Sequence, residues 1–332
     1  MKVSDEEFFK WLHAQEKEQW FVDLLNEGHH RSAEIHAEAV AGGLEMSGED
    51  FKNYSAPSAY IEGGLVDVLR NEALHILGDQ AQYVDKTRVF LLPTTSLNGF
   101  ASLTPLGTPF VVLNHGVIVF LSYLSIWYSA FYTWNSNEPY CLDHSQEAFA
   151  KAILRLAHFA STGQQKYMVG LKPLICPSVS MWKDSTYVFA HLIELMIILH
   201  EFGHVICGHL NSSVKFRVQI AGGVDLDGLK LSRDQEFEAD EFAFNCLCRS
   251  SINTQMRPRD FAYAFGLLFK FFELCHRLYP PAEPEAEWTH PHPEERWKRI
   301  KALAKVADYP NTLAFNLDNA FDCIFRGAGL KV

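Results

Sequence analysis

The residues of this chain best suited to chemistry are His200, Glu201 and His204 in the run HEFGH, inside the apolar stretch VFAHLIELMIILHEFGHVICGHL. On a helix, positions i and i+4 stack on one face, so the two imidazoles converge on one point while Glu201 stands about 100° round the cylinder. Two imidazoles so placed can grip a zinc ion, and the carboxylate beside them can take a proton from water. This is the arrangement of metal-assisted peptide hydrolysis. Packing alone gives an apolar helix no reason to carry these groups, because buried polar side chains without partners cost free energy.

A catalytic zinc site takes three protein ligands and keeps a fourth position for water. An extended HExxHxxGxxH pattern would need glycine at 207 and histidine at 210, where Cys207 and Leu210 stand. His209 is one residue out of register and reads as a helix-end histidine, where a cation suits the helix dipole. In LSRDQEFEADEFAF, residues 231–244, Ser232 and Gln235 form a capping box that starts a helix, and Glu236 and Asp240 share one of its faces. One carboxylate could bind zinc while the other receives the outer N–H of a ligating histidine. Asp234 and Glu238 have the same spacing, so spacing leaves the two pairs open. The remaining source of a ligand is His290 or His292 in WTHPHPEERW.

HEFGH followed about thirty residues later by EFEAD resembles the glutamate-zincins of the HtpX and CAAX-prenyl-protease type. Together with Thr289, His290 and Pro291 and an arginine at 296, the motifs are similar to the phage-exclusion Lit peptidase family. The resemblance covers about residues 88 to 305, with residues 97–120 matching the strand, strand and helix that precede the zinc helix. It implies a zincin-like core in which Glu236 is the third zinc ligand and Asp240 supports a ligand histidine. It also implies a cytoplasmic endopeptidase that attacks a host protein during phage infection and is held inactive until triggered, with a protein activator or regulator as a further partner.

In the mechanism expected of these parts, one zinc ion lowers the pKa of a water and Glu201 takes its proton, later passing it to the leaving amine. His290 is expected to steady the oxyanion, with His292 or a tyrosine as substitute, or else to brace Asp240 or its own loop. Arg296 is expected to act as a clamp on a carboxylate of the 233–250 helix. An extended peptide would pair with an edge strand between 98 and 113. Two other classes remain: a zinc-binding helical module that cuts nothing, and a helical interaction protein with a fortuitous motif.

Composition narrows the classes. With 332 residues, 48% of them hydrophobic, the chain can bury one large core or two modest ones. A net charge of −11 and no evident basic stripe argue against nucleic acid as a partner. Seven cysteines without CxxC spacing suit a reducing compartment, and the charged N-terminus is no signal peptide, which makes cytoplasm the expected location. Residues 116–134 are uncharged and long enough for a span, but their serines and tyrosines suit a buried helix, so a membrane is not expected.

The expected fold is α+β and helix-dominated. A helical region, residues 1–87, has helices at 4–25, 29–41 and 57–78 and is the place for recognition or regulation. A zinc metallopeptidase domain, residues 88–332, opens on strands at 88–92, 98–103 and 109–113, expected to form a small antiparallel sheet beside the HExxH helix. Helices are then expected at 114–134, 146–161, 187–209, 233–250, 259–278, 294–307 and 312–326. The proline-rich acidic stretch 279–295 carries Trp288, His290 and His292 and reads as a loop over the active site.

Overall fold

The structure, a computed structural model, describes residues 4–15, 65–92, 99–114, most of 116–125, 146–162, 180–211, 214–220, 224–250, 258–280, 290–304 and 313–330. The expected helix at 29–41, the ends of its two neighbours, residues 126–134 and most of the 279–295 loop lie outside the described residues.

The described elements run α1 (Asp5–Gln15), α2 (Leu65–Leu77), β1 (Arg88–Leu92), β2 (Gly99–Leu103), β3 (Pro109–Asn114), α3 (Gln146–Thr162), α4 (Ser180–Ile206), β4 (Val214–Ile220), β5 (Val224–Lys230), α5 (Arg233–Arg249), α6 (Pro258–Leu278), α7 (Pro293–Leu303) and α8 (Leu313–Gly327). A 3₁₀ turn, Gly78–Tyr83, follows α2. The chain is thus helix-dominated α+β, as expected. Between 116 and 125 the described residues are also helical, and Val117, Phe120, Leu121 and Leu124 are buried there. No helix among the described residues is long and apolar enough to cross a membrane.

The first three strands make a sheet in the order β1-β3-β2. β2 and β3 are antiparallel, as expected, but β1 runs parallel to β3, so the sheet is mixed. The reason is that β2 skips a position and the short turn at 104–108 returns β3 into the gap. Thr104 and Thr108 close that turn by hydrogen-bonding the Asp5 carboxylate of α1. β4 and β5 form a separate antiparallel hairpin that no strand was expected to supply, and β5 lies beside β2.

Side chains of a strand point alternately to its two faces, and both faces of the sheet are used. Leu91, Ala101, Val111 and Leu113 belong to the main core with the helices. Phe90, Leu92, Phe100, Phe110 and Val112 point the other way and are covered by Phe9 and Leu12 of α1. The main core is built around α4 and α6, and Leu69, Ala73, Leu77 and Val84 enter it from the region before residue 88. α4 therefore lies between the sheet and α5, and from Leu192 to His204 nearly all of its side chains are buried. A helical segment buried in this way has almost no wet face, which accounts for the nearly unbroken hydrophobic run from Leu192 to Leu199.

Candidate metal centre

α4 carries His200, Glu201 and His204, and all three are buried. The partner acids come from α5, whose start is set by a capping box: the Ser232 side chain accepts from the Gln235 backbone N–H while Gln235 accepts from the Ser232 N–H. That cap places Glu236 one residue beyond the box and Asp240 one turn later, both buried and both toward α4. The two helices approach closely at Gly203, where a Cβ would lie 3.1 Å from Phe242 Cδ1 and 3.3 Å from the Ala239 Cα. Only glycine fits there without displacement.

Across this contact, Glu236 meets both histidines. Its Oε2 is 3.5 Å from His200 Nε2, and its Oε1 is 3.6 Å from His204 Nε2. The two Nε2 atoms are 3.0 Å apart. One ligand atom from each of the three residues lies within 4.8 Å of the others, a spacing that suits a single cation. Glu236 Oε1 is buried with no hydrogen-bond partner among the described residues, and His204 Nε2 lies 3.6 Å from it. Such an acceptor is costly unless something positive fills the space, so the donor set fits a divalent ion, and its two nitrogens and one carboxylate oxygen match catalytic zinc sites.

The outer atoms of the group are braced as well. His200 Nδ1 lies 3.0 Å from Asp240 Oδ1, at the distance but not the alignment of a full hydrogen bond. Asp240 in turn receives two hydrogen bonds from the buried Arg296 of α7, Nε at 2.7 Å and Nη2 at 2.6 Å, and the guanidinium packs over the Phe269 ring. His204 Nδ1 is 2.9 Å from His209 Nδ1, and His209 Nε2 is 3.1 Å from Glu238 Oε2. His209 is thus beside the site, reaching it because Gly208 takes φ +74° and folds the chain back after α4. Glu238 faces outward on α5, so of the two acidic pairs Glu236 and Asp240 turn inward. Neither His209 nor Glu238 was expected to contact the motif histidines; the positive-φ glycine was the available signal.

His290 Nδ1 is 2.6 Å from Glu236 Oε2, and its side chain is about half exposed. It therefore meets the expected third ligand rather than Asp240. His292 caps α7, accepting from the Glu294 N–H, and stacks edge-on with His276 at 5.8 Å. Its described contacts lie at the helix start and not at Glu236.

Charges follow from this packing. Burial works against a proton on His200, yet Asp240 and Glu236 outweigh it and push its pKa up to about 10. Burial and the charge on His200 push His204 down to about 2. The proton therefore sits on His200, whose Nε2 faces the neutral His204 Nε2. Burial would raise Glu236, but His290 and His200 hold it well below the usual carboxylate range. Asp240 is likewise held low against burial by Arg296. Glu201 is pushed up to about 7 by burial, and its carboxylate accepts from the Ala101 N–H of β2.

A sequence model of the Peptidase U49 family matches residues 188–313, less than half of the chain. The matched stretch contains α4 from residue 188 onward, all of α5 to α7, and every side chain of the centre. No curated protein and no solved structure matches the chain.

Proposed function

We propose that the chain is a zinc-dependent endopeptidase. The observation that carries this reading is the convergence on one buried point beside Glu201 of His200, His204 and Glu236, whose Oε1 has no hydrogen-bond partner among the described residues. The family match supports a peptidase function and, with it, protein or peptide as substrate. Zinc held by these three residues would supply Lewis-acid polarisation of a substrate carbonyl and an acidified water.

The chain's own residues do the rest. Glu201, pushed up to about 7 by burial, can accept a proton from the attacking water and return it to the leaving amine near neutral pH. Its hydrogen bond to the Ala101 N–H holds the carboxylate toward β2, which is the edge of its sheet, so a strand-like substrate laid along that edge would pass Glu201. Asp240 and Arg296 fix His200, while His209 fixes His204. His290 is positioned beside Glu236 to donate to charge that develops on the substrate oxygen.

The finer role follows the resemblance to the phage-exclusion Lit family: a cytoplasmic defence protease that cuts a host protein once a protein activator releases it, with the N-terminal region taking part in recognition or control. A survey of cleaved proteins in cells expressing the wild type or Glu201→Gln, with and without phage, tests that role. A fragment made only by the active chain is expected, and identical fragment sets would contradict it.

The biochemical test is Glu201→Gln in purified protein. One zinc per chain is expected to remain bound while hydrolysis of a peptide library disappears. Hydrolysis retained by the zinc-loaded variant would overturn the base assignment. A wild type that holds zinc and cuts no peptide would favour a non-catalytic binding module.

A further inference from the structure

Beside the first centre, Cys207, His209 and Glu238 offer a sulfur, a nitrogen and an oxygen that all lie within 4.8 Å of one another. Cys207 and His209 sit on the turn that ends α4, and Glu238 comes from the outer side of α5. The Glu238 side chain is 62% exposed and Cys207 is half-buried, so an ion can arrive from solvent without opening the core. We propose that these three residues form a second, thiophilic divalent-cation site that antagonises the first through the His204–His209 pair. It rests on the zinc reading of the first centre only for the antagonism; the second ion stands on its own ligands.

The antagonism follows from proton positions. His204 turns Nε2 toward the first centre, so its proton is on Nδ1 and is donated to His209 Nδ1 at 2.9 Å. His209 then carries its own proton on Nε2 and donates it to Glu238 at 3.1 Å. A cation on Cys207 Sγ, His209 Nε2 and Glu238 displaces the thiol proton and that Nε2 proton. The thiol proton leaves to solvent, and the imidazole proton moves to Nδ1, because a neutral imidazole that ligates through Nε2 carries its proton there. Two donors, His204 Nδ1–H and His209 Nδ1–H, then face each other and the brace on His204 is lost. Outer partners of ligating histidines change metal affinity about 10- to 100-fold, so filling the second site should weaken the first.

Cobalt(II) titration of the full-length, reduced, metal-free chain separates the two sites, because the first has no sulfur ligand. The first ion is expected without a thiolate-to-metal charge-transfer band and the second ion with one, counted by native mass spectrometry. Cys207→Ser should lose the band and the second ion while keeping the first. Glu238→Gln should weaken the second ion by about tenfold. Competition with a chelator should show the first ion held about tenfold more weakly when the second is present, and no such change in Cys207→Ser. A band that survives in Cys207→Ser, the absence of any second ion, or a second ion that leaves the first unaffected would overturn the proposal. A thiolate band with no sulfur-free ion would count against the His200 centre and for this one.

Discussion

The proton held on His200 would make metal binding at this centre a titration. His200 is raised from its ordinary 6.5 to about 10, so in the metal-free chain its contribution to stability is complete below about 6.5 and is lost as pH climbs toward 10. A zinc ion at this centre would have to displace that proton. Calorimetry in buffers of different ionisation enthalpy is expected to find about one proton released per zinc at pH 8, and affinity rising about tenfold per pH unit between roughly 7 and 9. A pH-independent affinity would contradict the paired imidazoles. Arg296 and Asp240 form a buried ion pair, so Arg296→Leu leaves an uncompensated carboxylate and should cost about 3–5 kcal/mol in urea unfolding. Asp240→Asn should lower zinc affinity by about 10- to 100-fold, measured against a chelator. At this scale the sequence was readable where helical periodicity governs: His200, Glu201 and His204 follow from i, i+4 geometry. Glu236 and Asp240 needed the family likeness to be chosen over Asp234 and Glu238, because spacing is the same for both pairs. His209 could not be read so easily, since its approach to His204 depends on a backbone reversal at Gly208.

At the scale of elements, the centre exists only because α4 and α5 touch at Gly203. Adding a methyl there places it 3.1 Å from Phe242 and 3.3 Å from the Ala239 backbone. Gly203→Ala should therefore destabilise the fold by about 1–3 kcal/mol and weaken zinc binding by moving Glu236 away from the histidines. A variant with unchanged affinity would show that the helix spacing has more tolerance than the contact suggests. The start of α5 was legible because a capping box is a local pattern, and Ser232→Ala should cost about 1 kcal/mol. The β4–β5 hairpin was missed although VKFRVQIAGGVDLDGLK alternates around a glycine pair. The parallel pairing of β1 with β3 has no such local mark; it joins segments about twenty residues apart and is decided by which strand fills the gap.

At the scale of the molecule, the helices before residue 88 are not simply an appendage. Leu69, Ala73, Leu77 and Val84 are buried in the same core as α4, and α1 covers the outer face of the sheet. Leu69→Ala should cost about 2–5 kcal/mol by urea unfolding, and deleting residues 65–84 should abolish zinc binding along with the fold. Retained zinc affinity after that deletion would mean that the core closes without them. The division at residue 88 was read from where recognisable motifs begin, and motif density says little about packing. The central claim is that two imidazoles and the carboxylate at 236 share one cation, and the direct measurement is a crystal of the zinc-loaded chain with anomalous data at the zinc edge. The account predicts one strong peak bounded by His200 Nε2, His204 Nε2 and Glu236; a peak elsewhere, or Glu236 turned away from an occupied site, would contradict it.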